Sequence, residues 1–230
     1  MKLSIVMPVY NERETIEEIL RQVMALELEK EIILVDDCST DGTREWLRER
    51  KGGGGDGLRV LYHERNSGKG AALRTGFAHV TGDVVVPQDA DLEYDPQDLI
   101  RLMELFKRGV ADAVYGSRLM GGAPQRVHLF WHKVGNGLLS FLTNLLFNST
   151  LSDMETCYKM IRADVLRDLN LVSNGFSIEP EITAKILKRK LRVYEMPISY
   201  YGRTYEEGKK ITWLHGFGAL WTLLKYRFVS

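Results

Sequence analysis

The spacing of apolar and polar positions predicts alternating strands and helices through the first half of the chain. Short apolar runs are typical of strands in a parallel sheet, whereas apolar residues repeated every three or four positions indicate helices. We expect strands at residues 3–7, 31–35, 58–62, 83–87 and 113–115, and helices at 14–28, 41–49, 68–79 and 98–107. Repeated strand–helix units predict an α/β fold with a mostly parallel, doubly wound sheet.

The second half of the chain is less regular and carries two apolar helical segments. Helices are predicted at residues 128–147, 165–169, 181–189 and 213–228. The first is more apolar than one buried stripe requires, and the last mixes aromatic residues with Lys225 and Arg227, as helices at a membrane surface do. Residues 193–200 are predicted to form an edge strand, because Pro197 cannot donate to a ladder. No repeat or linker divides the chain, so we expect one domain over residues 1–230.

Composition and charge exclude several functional classes. Lys plus Arg equals Asp plus Glu at 31 each, so no overall field attracts nucleic acid or an acidic partner. Cys38 and Cys157 lie far apart, which argues against a disulfide framework or a zinc site and fits a reducing compartment. The first residues lack signal-peptide architecture, and no run of about 18 apolar residues predicts a membrane span. We therefore expect a cytoplasmic protein that can touch a membrane surface.

The sharpest chemical signal is a pair of aspartates at the end of an apolar strand. Asp89 and Asp91 follow residues 84–86 closely, and Glu93 adds a carboxylate at the next alternate position. Two carboxylates separated by one residue can converge on one divalent cation, and oxygen ligands favour Mg²⁺ or Mn²⁺. Taken alone, the motif also fits a solvated acidic turn.

Two further polar loops follow predicted strands. Asp37 ends the second strand, and residues 8–12 end the first. Ligands of parallel sheets bind beyond the carboxyl ends of strands, where an aspartate can accept hydrogen bonds from a base or ribose. Each loop also has a structural explanation, such as Asp41 capping a helix or Tyr10 covering the core. Three such loops on one edge favour a binding site.

Five short motifs occur in a recognisable order and spacing. They are Pro8-Val-Tyr-Asn-Glu12, Val35-Asp-Asp-Cys-Ser-Thr-Asp-Gly-Thr43, Asn66-Ser-Gly-Lys-Gly70, Asp89-Ala-Asp-Leu-Glu93 and Gly116-Ser-Arg118. Together they resemble the family 2 glycosyltransferases of the GT-A fold, in particular the dolichol-phosphate mannosyltransferase-like branch. The resemblance covers the chain as far as Lys210. It implies a GT-A fold with an antiparallel extension on the acceptor side.

The resemblance also implies roles for individual residues. Six are assigned to donor binding, the last through its backbone: Pro8, Tyr10, Glu12, Val35, Asp37 and Ala90. Asp89 and Asp91 would engage the metal and the diphosphate, with Glu93 as a third metal ligand. The branch commonly has Gln in place of Glu93, so the identity of the sugar stays open. Three cations would neutralise the charge on the leaving diphosphate, namely Arg118, Arg203 and Lys209.

The acceptor side of the resemblance is less complete. Lys133 stands where the family has Arg, and Asp153 begins an acceptor-side element from which Cys157 and Tyr158 depart. The Asn66–Gly70 motif lacks the spacing of a phosphate-binding P-loop, so a supporting role and a plain turn are both open. The implied division is a nucleotide-sugar-binding half at residues 1–118, an acceptor half at 119–210 and an amphipathic helix at 211–230.

The implied reaction moves a hexose from a donor of the GDP-mannose or UDP-glucose type to a polyprenyl phosphate, dolichyl or undecaprenyl. A prenyl phosphate is already an anion and needs no base, so we expect a single in-line displacement with inversion. The five histidines lie outside the motifs and are interpreted as packing or surface residues. Either apolar helix could instead pack in the core or at a dimer interface, but together they favour a peripheral protein on the cytoplasmic face of a membrane.

Other functional classes compete with this interpretation. A soluble enzyme of the same fold could add a sugar to a saccharide or glycan, with Asp153 or Glu155 as the base that a neutral hydroxyl requires. A non-catalytic nucleotide-sugar-binding or membrane scaffold is a second alternative. A sugar-1-phosphate nucleotidyltransferase is disfavoured, because the expected glycine-rich loop after the first strand is absent. The sequence leaves the oligomeric state open.

Overall fold

The computed structural model describes residues 1–50, 57–127, 130–204, 206–207 and 214–229. Within these residues the backbone forms seven strands and eight helices. The strands are β1 (Leu3–Val9), β2 (Lys30–Asp36), β3 (Leu58–Tyr62), β4 (Val84–Pro87), β5 (Ala113–Ser117), β6 (Lys159–Arg162) and β7 (Val193–Pro197). The helices are α1 (Ile16–Met24), α2 (Thr43–Arg50), α3 (Lys69–Phe77), α4 (Asp98–Lys107), α5 (Phe130–Phe147), α6 (Ala163–Asp168), α7 (Ile178–Lys188) and α8 (Leu214–Phe228).

All seven strands belong to one sheet, in the order β3-β2-β1-β4-β6-β5-β7. Every pairing is parallel except those of β6, which runs antiparallel to β4 and β5. The predicted mostly parallel α/β sheet is thus confirmed, and β7 lies at the edge, as Pro197 indicated. The strand β6 was not predicted, and it lies inside the sheet. Because of its direction, its amino end shares an edge with the carboxyl ends of its neighbours.

The strands are apolar because both faces of the sheet are covered. Side chains of β1 alternate between two clusters, with Ile5 and Met7 on the α1 and α4 side and Val6 on the α3 and α7 side. Such two-sided burial explains why the strand sequences are nearly continuous apolar runs. The helix α1 is shorter than predicted, and its buried residues are Ile16, Ile19, Leu20 and Val23.

The helices α5 and α8 form a smaller layer that packs partly on α7. Their inward side chains meet in a third cluster that includes Met154, Leu223 and Tyr226. Their outward side chains are large, apolar and exposed, and we call this set the apolar face: Phe130, Trp131, Val134, Leu138, Phe141, Leu145, Phe217, Trp221, Leu224 and Phe228. Of the helices in the described ranges, none has the length and hydropathy needed to cross a membrane.

Candidate active site

The loops that follow β1, β2 and β4 meet at one edge of the sheet. The register pairs Val9 with Asp36, and Val6 with Pro87, so the carboxyl ends of these strands are aligned. Each loop contains one non-glycine residue with a left-handed backbone: Asn11 at φ 52°, Cys38 at φ 65° and Leu92 at φ 61°. Such a conformation is unfavourable, above all for leucine, and it concentrates where a sheet presents functional loops.

The carboxylate of Asp37 holds the amino end of α3. Its two oxygens accept hydrogen bonds from the amides of Ser67 at 2.9 Å and Gly68 at 2.7 Å. The Nδ1 atom of His63 lies 2.7 Å from the same carboxylate, and Nε2 lies 2.9 Å from the hydroxyl of Thr75. His63, which the sequence marks as an ordinary packing residue, therefore orients a residue predicted to bind the donor.

Glycine is required where α3 begins. Gly68 has φ 96°, and a Cβ atom there would lie 2.5 Å from the carbonyl oxygen of Asn174. A Cβ atom on Gly70 would meet the carbonyl oxygen of Ser173 at the same distance. The glycines of the Asn66–Gly70 motif thus let the helix terminus pack against the loop before α7, which brings the intervening Lys69 into the site.

Lys69 and Asp89 form an ion pair at the centre of the edge. The Nζ atom of Lys69 lies 2.8 Å from Oδ1 and 2.9 Å from Oδ2 of Asp89. On its other side it lies 3.5 Å from Oε1 of Glu179, whose Oε2 accepts a 2.7 Å hydrogen bond from the fully buried Lys159. Burial opposes the charge on Lys69, but Asp89 keeps the pKa of this ammonium well above its usual value. We call these four residues the Lys69 network.

Arg203 gathers the acidic side chains on the other side of the edge. Its guanidinium lies 3.2 Å from Asp91, 3.4 Å from Glu12 and 3.7 Å from Glu93. The carboxylate of Glu93 also accepts hydrogen bonds from the hydroxyl of Tyr200 and the amide of Arg203, both at 2.7 Å. A cation from the loop after β7 thus lies among three carboxylates.

The acidic residues fit a divalent cation that is shared with a diphosphate. Burial raises the pKa of Asp91 to about 7, and the neighbouring charges of Asp89 and Glu93 act in the same direction. Mutually repelling, poorly solvated carboxylates of this kind are stabilised by a metal ion. Within the described ranges, no three His, Cys, Asp or Glu side chains converge on one ion. Coordination by Asp89 and Asp91, completed by substrate phosphates, is a usual arrangement for Mg²⁺ and stays a prediction, as does Glu93 as a third ligand.

Arg118 and Asp153 are paired with each other. Asp153 accepts hydrogen bonds from the Arg118 amide at 2.9 Å and from its guanidinium at 2.7 and 2.8 Å. The guanidinium carbon lies 5.1 Å from the centroid of the Tyr200 ring. Burial acts to raise the pKa of Asp153, but the Arg118 charge holds it below its ordinary value. An ionised, bidentate carboxylate of this kind is a poor proton acceptor, so Asp153 does not fit the role of base.

Glu155 is the other carboxylate of the loop between α5 and β6. Its side chain is half-buried, and Oε1 has no hydrogen-bond partner in the part of the chain that the structure describes. Burial raises the pKa of Glu155 to about 7, against the opposing charge of Lys159. The same loop carries Cys157, and burial together with the nearby charge of Asp89 raises the pKa of its thiol well above the ordinary value. Glu155 therefore lies two residues from a neighbour of the central aspartate.

The remaining predicted site residues differ in where they lie. Tyr10 is exposed and Ala90 is buried, and their contacts with the donor stay a prediction. Pro8 lies within β1, and it pairs in register with Val35 of β2. The side chain of Val35 is fully buried in the α3-side core, so only its backbone can shape the site. Lys133 is exposed on α5, and Lys209 lies outside the described residues.

Sequence reasoning missed several members of the site. His63, Lys159 and Glu179 have partners 20 or more positions away in the chain. The available signal for Lys159 was a lysine within an otherwise apolar segment, since a buried lysine requires a carboxylate partner. For Glu179 the sequence offers no comparable signal, because glutamate near a helix start is common.

Comparisons with known proteins agree with this architecture. The family model described as Glycosyl transferase family 2 matches residues 4–169. Glucosyl-3-phosphoglycerate synthase from Mycobacterium tuberculosis, in complex with Mn²⁺, UDP and phosphoglyceric acid, superposes with a TM-score of 0.70 at 20% identity, covering 100% of this chain and 79% of that chain. TarS 1–349 from S. aureus in complex with UDP-GlcNAc gives 0.62 at 16% identity, covering 99% and 73%. At such identities the likeness shows the fold alone, which is of the GT-A type.

Proposed function

Because the chain belongs to glycosyl transferase family 2, we propose that it transfers a hexose from a nucleoside diphosphate sugar to an acceptor bound at the same sheet edge. The observation that carries the proposal is the gathering of Asp37, Asp89 and Asp91 at the aligned carboxyl ends of β1, β2 and β4. The α3 terminus joins them, because it donates to Asp37 through Gly68 and to Asp89 through Lys69.

The proposed roles of the side chains follow from their charges. Asp37 offers carboxylate oxygens to the base or ribose of the donor, and His63 fixes its orientation. Arg203 and Lys69 place positive charge beside the position proposed for the diphosphate, whose negative charge grows as the sugar departs. Bound by Asp89 and Asp91, a divalent cation such as Mg²⁺ or Mn²⁺ would supply further charge stabilisation for this leaving group. The acceptor attacks the opposite face of the anomeric carbon, so the configuration inverts.

A polyprenyl phosphate at a membrane surface is one candidate acceptor. The apolar face of α5 and α8 supports it, because monomeric proteins rarely expose so many large apolar side chains together. Trp131 and Trp221, both more than two-thirds exposed, are residues that membrane interfaces favour. The helix α5 also contacts the acceptor-side loop, since the Met154 amide donates to Ser140 at 3.0 Å. In this case the protein is peripheral on the membrane.

A hydroxyl of a saccharide or glycan is the second candidate acceptor, and Glu155 supports it. A neutral hydroxyl must lose a proton as it attacks, and a carboxyl with a pKa of about 7 is matched to accept that proton near neutral pH. Because Asp153 is paired with Arg118, Glu155 is the carboxylate of this loop that remains suited to the task. A phosphate acceptor would not need such a group.

A donor and acceptor screen tests the proposal. Thermal unfolding is first measured with UDP-glucose, UDP-GlcNAc and GDP-mannose, each with and without Mn²⁺, since a ligand at 100 times its Kd stabilises by about 2.7 kcal/mol. The stabilising donor is then used in radioactive transfer assays with undecaprenyl phosphate in mixed micelles and with a panel of saccharides. We expect metal-dependent stabilisation and a product of inverted configuration by NMR.

A matched pair of variants controls the screen. Asp91→Asn should abolish metal-dependent donor stabilisation, whereas Asp112→Asn should not, because Asp112 precedes β5 at the opposite edge and pairs with Arg192. Retention of configuration in the product would contradict the proposed reaction. Stabilisation of the protein by the donor that depends neither on the metal nor on Asp91 would contradict it as well. Transfer to the phosphate alone, or to a saccharide alone, assigns the acceptor.

A further inference from the structure

In the Lys69 network the ammonium of Lys69 lies between the carboxylates of Asp89 and Glu179, but it forms a hydrogen bond only with Asp89. We infer that Lys69 is the counter-ion of Asp89 while no metal is bound, and this inference rests on the proposed function. A divalent cation then displaces the Lys69 ammonium from Asp89, and Glu179 accepts its hydrogen bond instead. Lys69 is then a positioning residue of the donor site that leaves Asp89 free to bind metal. The network is enclosed, because the side chains of Lys69 and Asp89 are 15% and 20% exposed and that of Glu179 is 5% exposed.

Competition between Lys69 and a metal ion follows from their distances to Asp89. Both carboxylate oxygens of Asp89 lie within 2.9 Å of the ammonium, which therefore occupies part of the lone-pair sites that a metal would use. Two cations on one half-buried carboxylate also repel each other strongly, because the local dielectric constant is low. A bound divalent cation must therefore move Lys69 or share Asp89 with it.

Glu179 provides the place to which Lys69 can move. Its Oε1 atom is buried and accepts no hydrogen bond from any described residue, although it lies only 3.5 Å from the Lys69 Nζ atom. A buried carboxylate oxygen without a donor is unfavourable, so closing this distance gains a hydrogen bond. Oε2 stays fixed by Lys159, and this holds Oε1 in position. The structure therefore contains both the occupied and the vacant partner of the same ammonium group.

The inference is tested by Mn²⁺ binding in the presence of UDP, read from the EPR signal of free Mn²⁺. Lys69→Met removes the competing cation, so we expect Mn²⁺ to bind at least about tenfold more tightly, equivalent to about 1.4 kcal/mol. Glu179→Gln removes the receiving carboxylate, so Lys69 stays on Asp89 and Mn²⁺ should bind about threefold or more weakly, in line with the energy of one hydrogen bond.

A double-mutant cycle separates this displacement from simple charge effects. If Glu179 acts by receiving Lys69, Glu179→Gln should have no effect on Mn²⁺ affinity in the Lys69→Met background. If Glu179 acts only through its charge, the same weakening appears in both backgrounds, and the inference is overturned. An unchanged affinity in Lys69→Met overturns it as well.

The neighbouring pair Lys185 and Glu181 supplies matched controls. Both residues of this second lysine–glutamate pair lie on α7, and the side chain of Lys185 is 14% exposed. Neither residue belongs to the Lys69 network. Lys185→Met and Glu181→Gln should leave the Mn²⁺ affinity within twofold of wild type. An equal effect of Lys185→Met would show that any lysine removal suffices, and it would overturn the inference.

A measurement on the wild-type protein covers the case in which Lys69→Met does not fold. The ¹⁵Nζ signal of Lys69, assigned by its loss in Lys69→Arg, should shift on addition of diamagnetic Mg²⁺, together with the carboxyl carbon of Glu179. Signals of Lys185 and Glu181 should not shift. A stationary Lys69 signal at saturating Mg²⁺ overturns the inference. Failure of the wild type to bind Mn²⁺ even with UDP would instead overturn the proposed function.

Discussion

The guanidinium of Arg118 is held by both carboxylate oxygens of Asp153, at 2.7 and 2.8 Å, at the carboxyl end of β5. Both residues were predicted to act on substrates, one on a phosphate and one as a candidate base. In the structure each neutralises the other, and the side chain of Asp153 is fully buried. The pair therefore stabilises the junction between β5 and the loop before β6.

Breaking this pair should destabilise the fold. Asp153→Asn leaves the Arg118 charge without its partner, and removal of one member of a buried pair typically costs about 3–5 kcal/mol. The free energy of unfolding is measured by urea titration. The exposed pair of Arg162 and Asp164 is the control, and Asp164→Asn should change stability by about 1 kcal/mol or less. A loss below 1 kcal/mol in Asp153→Asn would mean that the pair is not structural.

Asp37→Asn should weaken both stability and donor binding. The Asp37 carboxylate now accepts hydrogen bonds from the backbone N–H groups of Ser67 and Gly68. The NH₂ group of an asparagine side chain would face one of these two N–H groups and could not accept its hydrogen bond. We expect a loss of about 1–3 kcal/mol in unfolding free energy and roughly tenfold or more weaker UDP binding by calorimetry.

Asp41→Asn is the matched control for Asp37→Asn. Asp41 also accepts two backbone amides, those of Arg13 and Thr43, both at 3.0 Å. Its substitution should lower stability to a similar extent while UDP affinity stays within twofold of wild type. Equal losses of UDP affinity in both variants would show that donor binding depends only on the stability of the loops.

Glu155→Gln should separate the two acceptor classes. For a hydroxyl acceptor, loss of a general base lowers kcat by about 10²–10⁴-fold with little change in KM for the donor. The rise of kcat with pH, centred near 7 in the wild type, should disappear. For undecaprenyl phosphate the rate should be unaffected. Unchanged transfer to every saccharide that serves as acceptor would exclude Glu155 as the base.

The stability of Glu155→Gln should depend on pH relative to wild type. The pKa of Glu155 is raised from 4.5 to about 7, so the folded protein holds this proton more tightly than the unfolded chain. As pH rises through this window, ionisation of Glu155 destabilises the wild type but not the glutamine variant. The Tm difference between variant and wild type should grow from pH 5 to pH 8.

An exposed glutamate provides the control for this pH dependence. The pKa of Glu207 is lowered to about 2 by its hydrogen bond with Arg126, so its ionisation does not oppose folding in the same window. The Tm difference for Glu207→Gln should stay constant between pH 5 and 8. A constant difference for Glu155→Gln as well would indicate an ordinary, solvated carboxylate.

Polar substitution on the apolar face should release the protein from membranes without unfolding it. Phe141 and Trp221 are 62% and 69% exposed, so Phe141→Ser with Trp221→Ser removes little buried area. We expect at least about tenfold weaker binding to vesicles containing anionic lipid in co-sedimentation, because interfacial binding scales with buried apolar area. Tyr194→Ser, at an exposed aromatic residue on β7, is the control. Equal vesicle binding of all variants would contradict a membrane role for this face.

Local sequence was sufficient to place the strands that build the site. The runs at 31–35 and 84–86 are apolar because both faces of a parallel sheet are buried, and this requirement can be read from adjacent residues. The same argument put Asp37, Asp89 and Asp91 at strand ends, and parallel pairing then aligned those ends on one edge. The family assignment used the order of these motifs, which is also a property of the chain alone.

The tertiary structure decided which side chains these aspartates meet. The strand β6 has four residues, too few for a period to be recognised, and only its insertion between β4 and β5 brings Lys159 to the site. Arg203 reaches Asp91 across 112 positions, and Arg118 pairs with Asp153. Such pairings depend on strand order and loop paths, which are set by the packing of the whole sheet and leave no local period in the sequence.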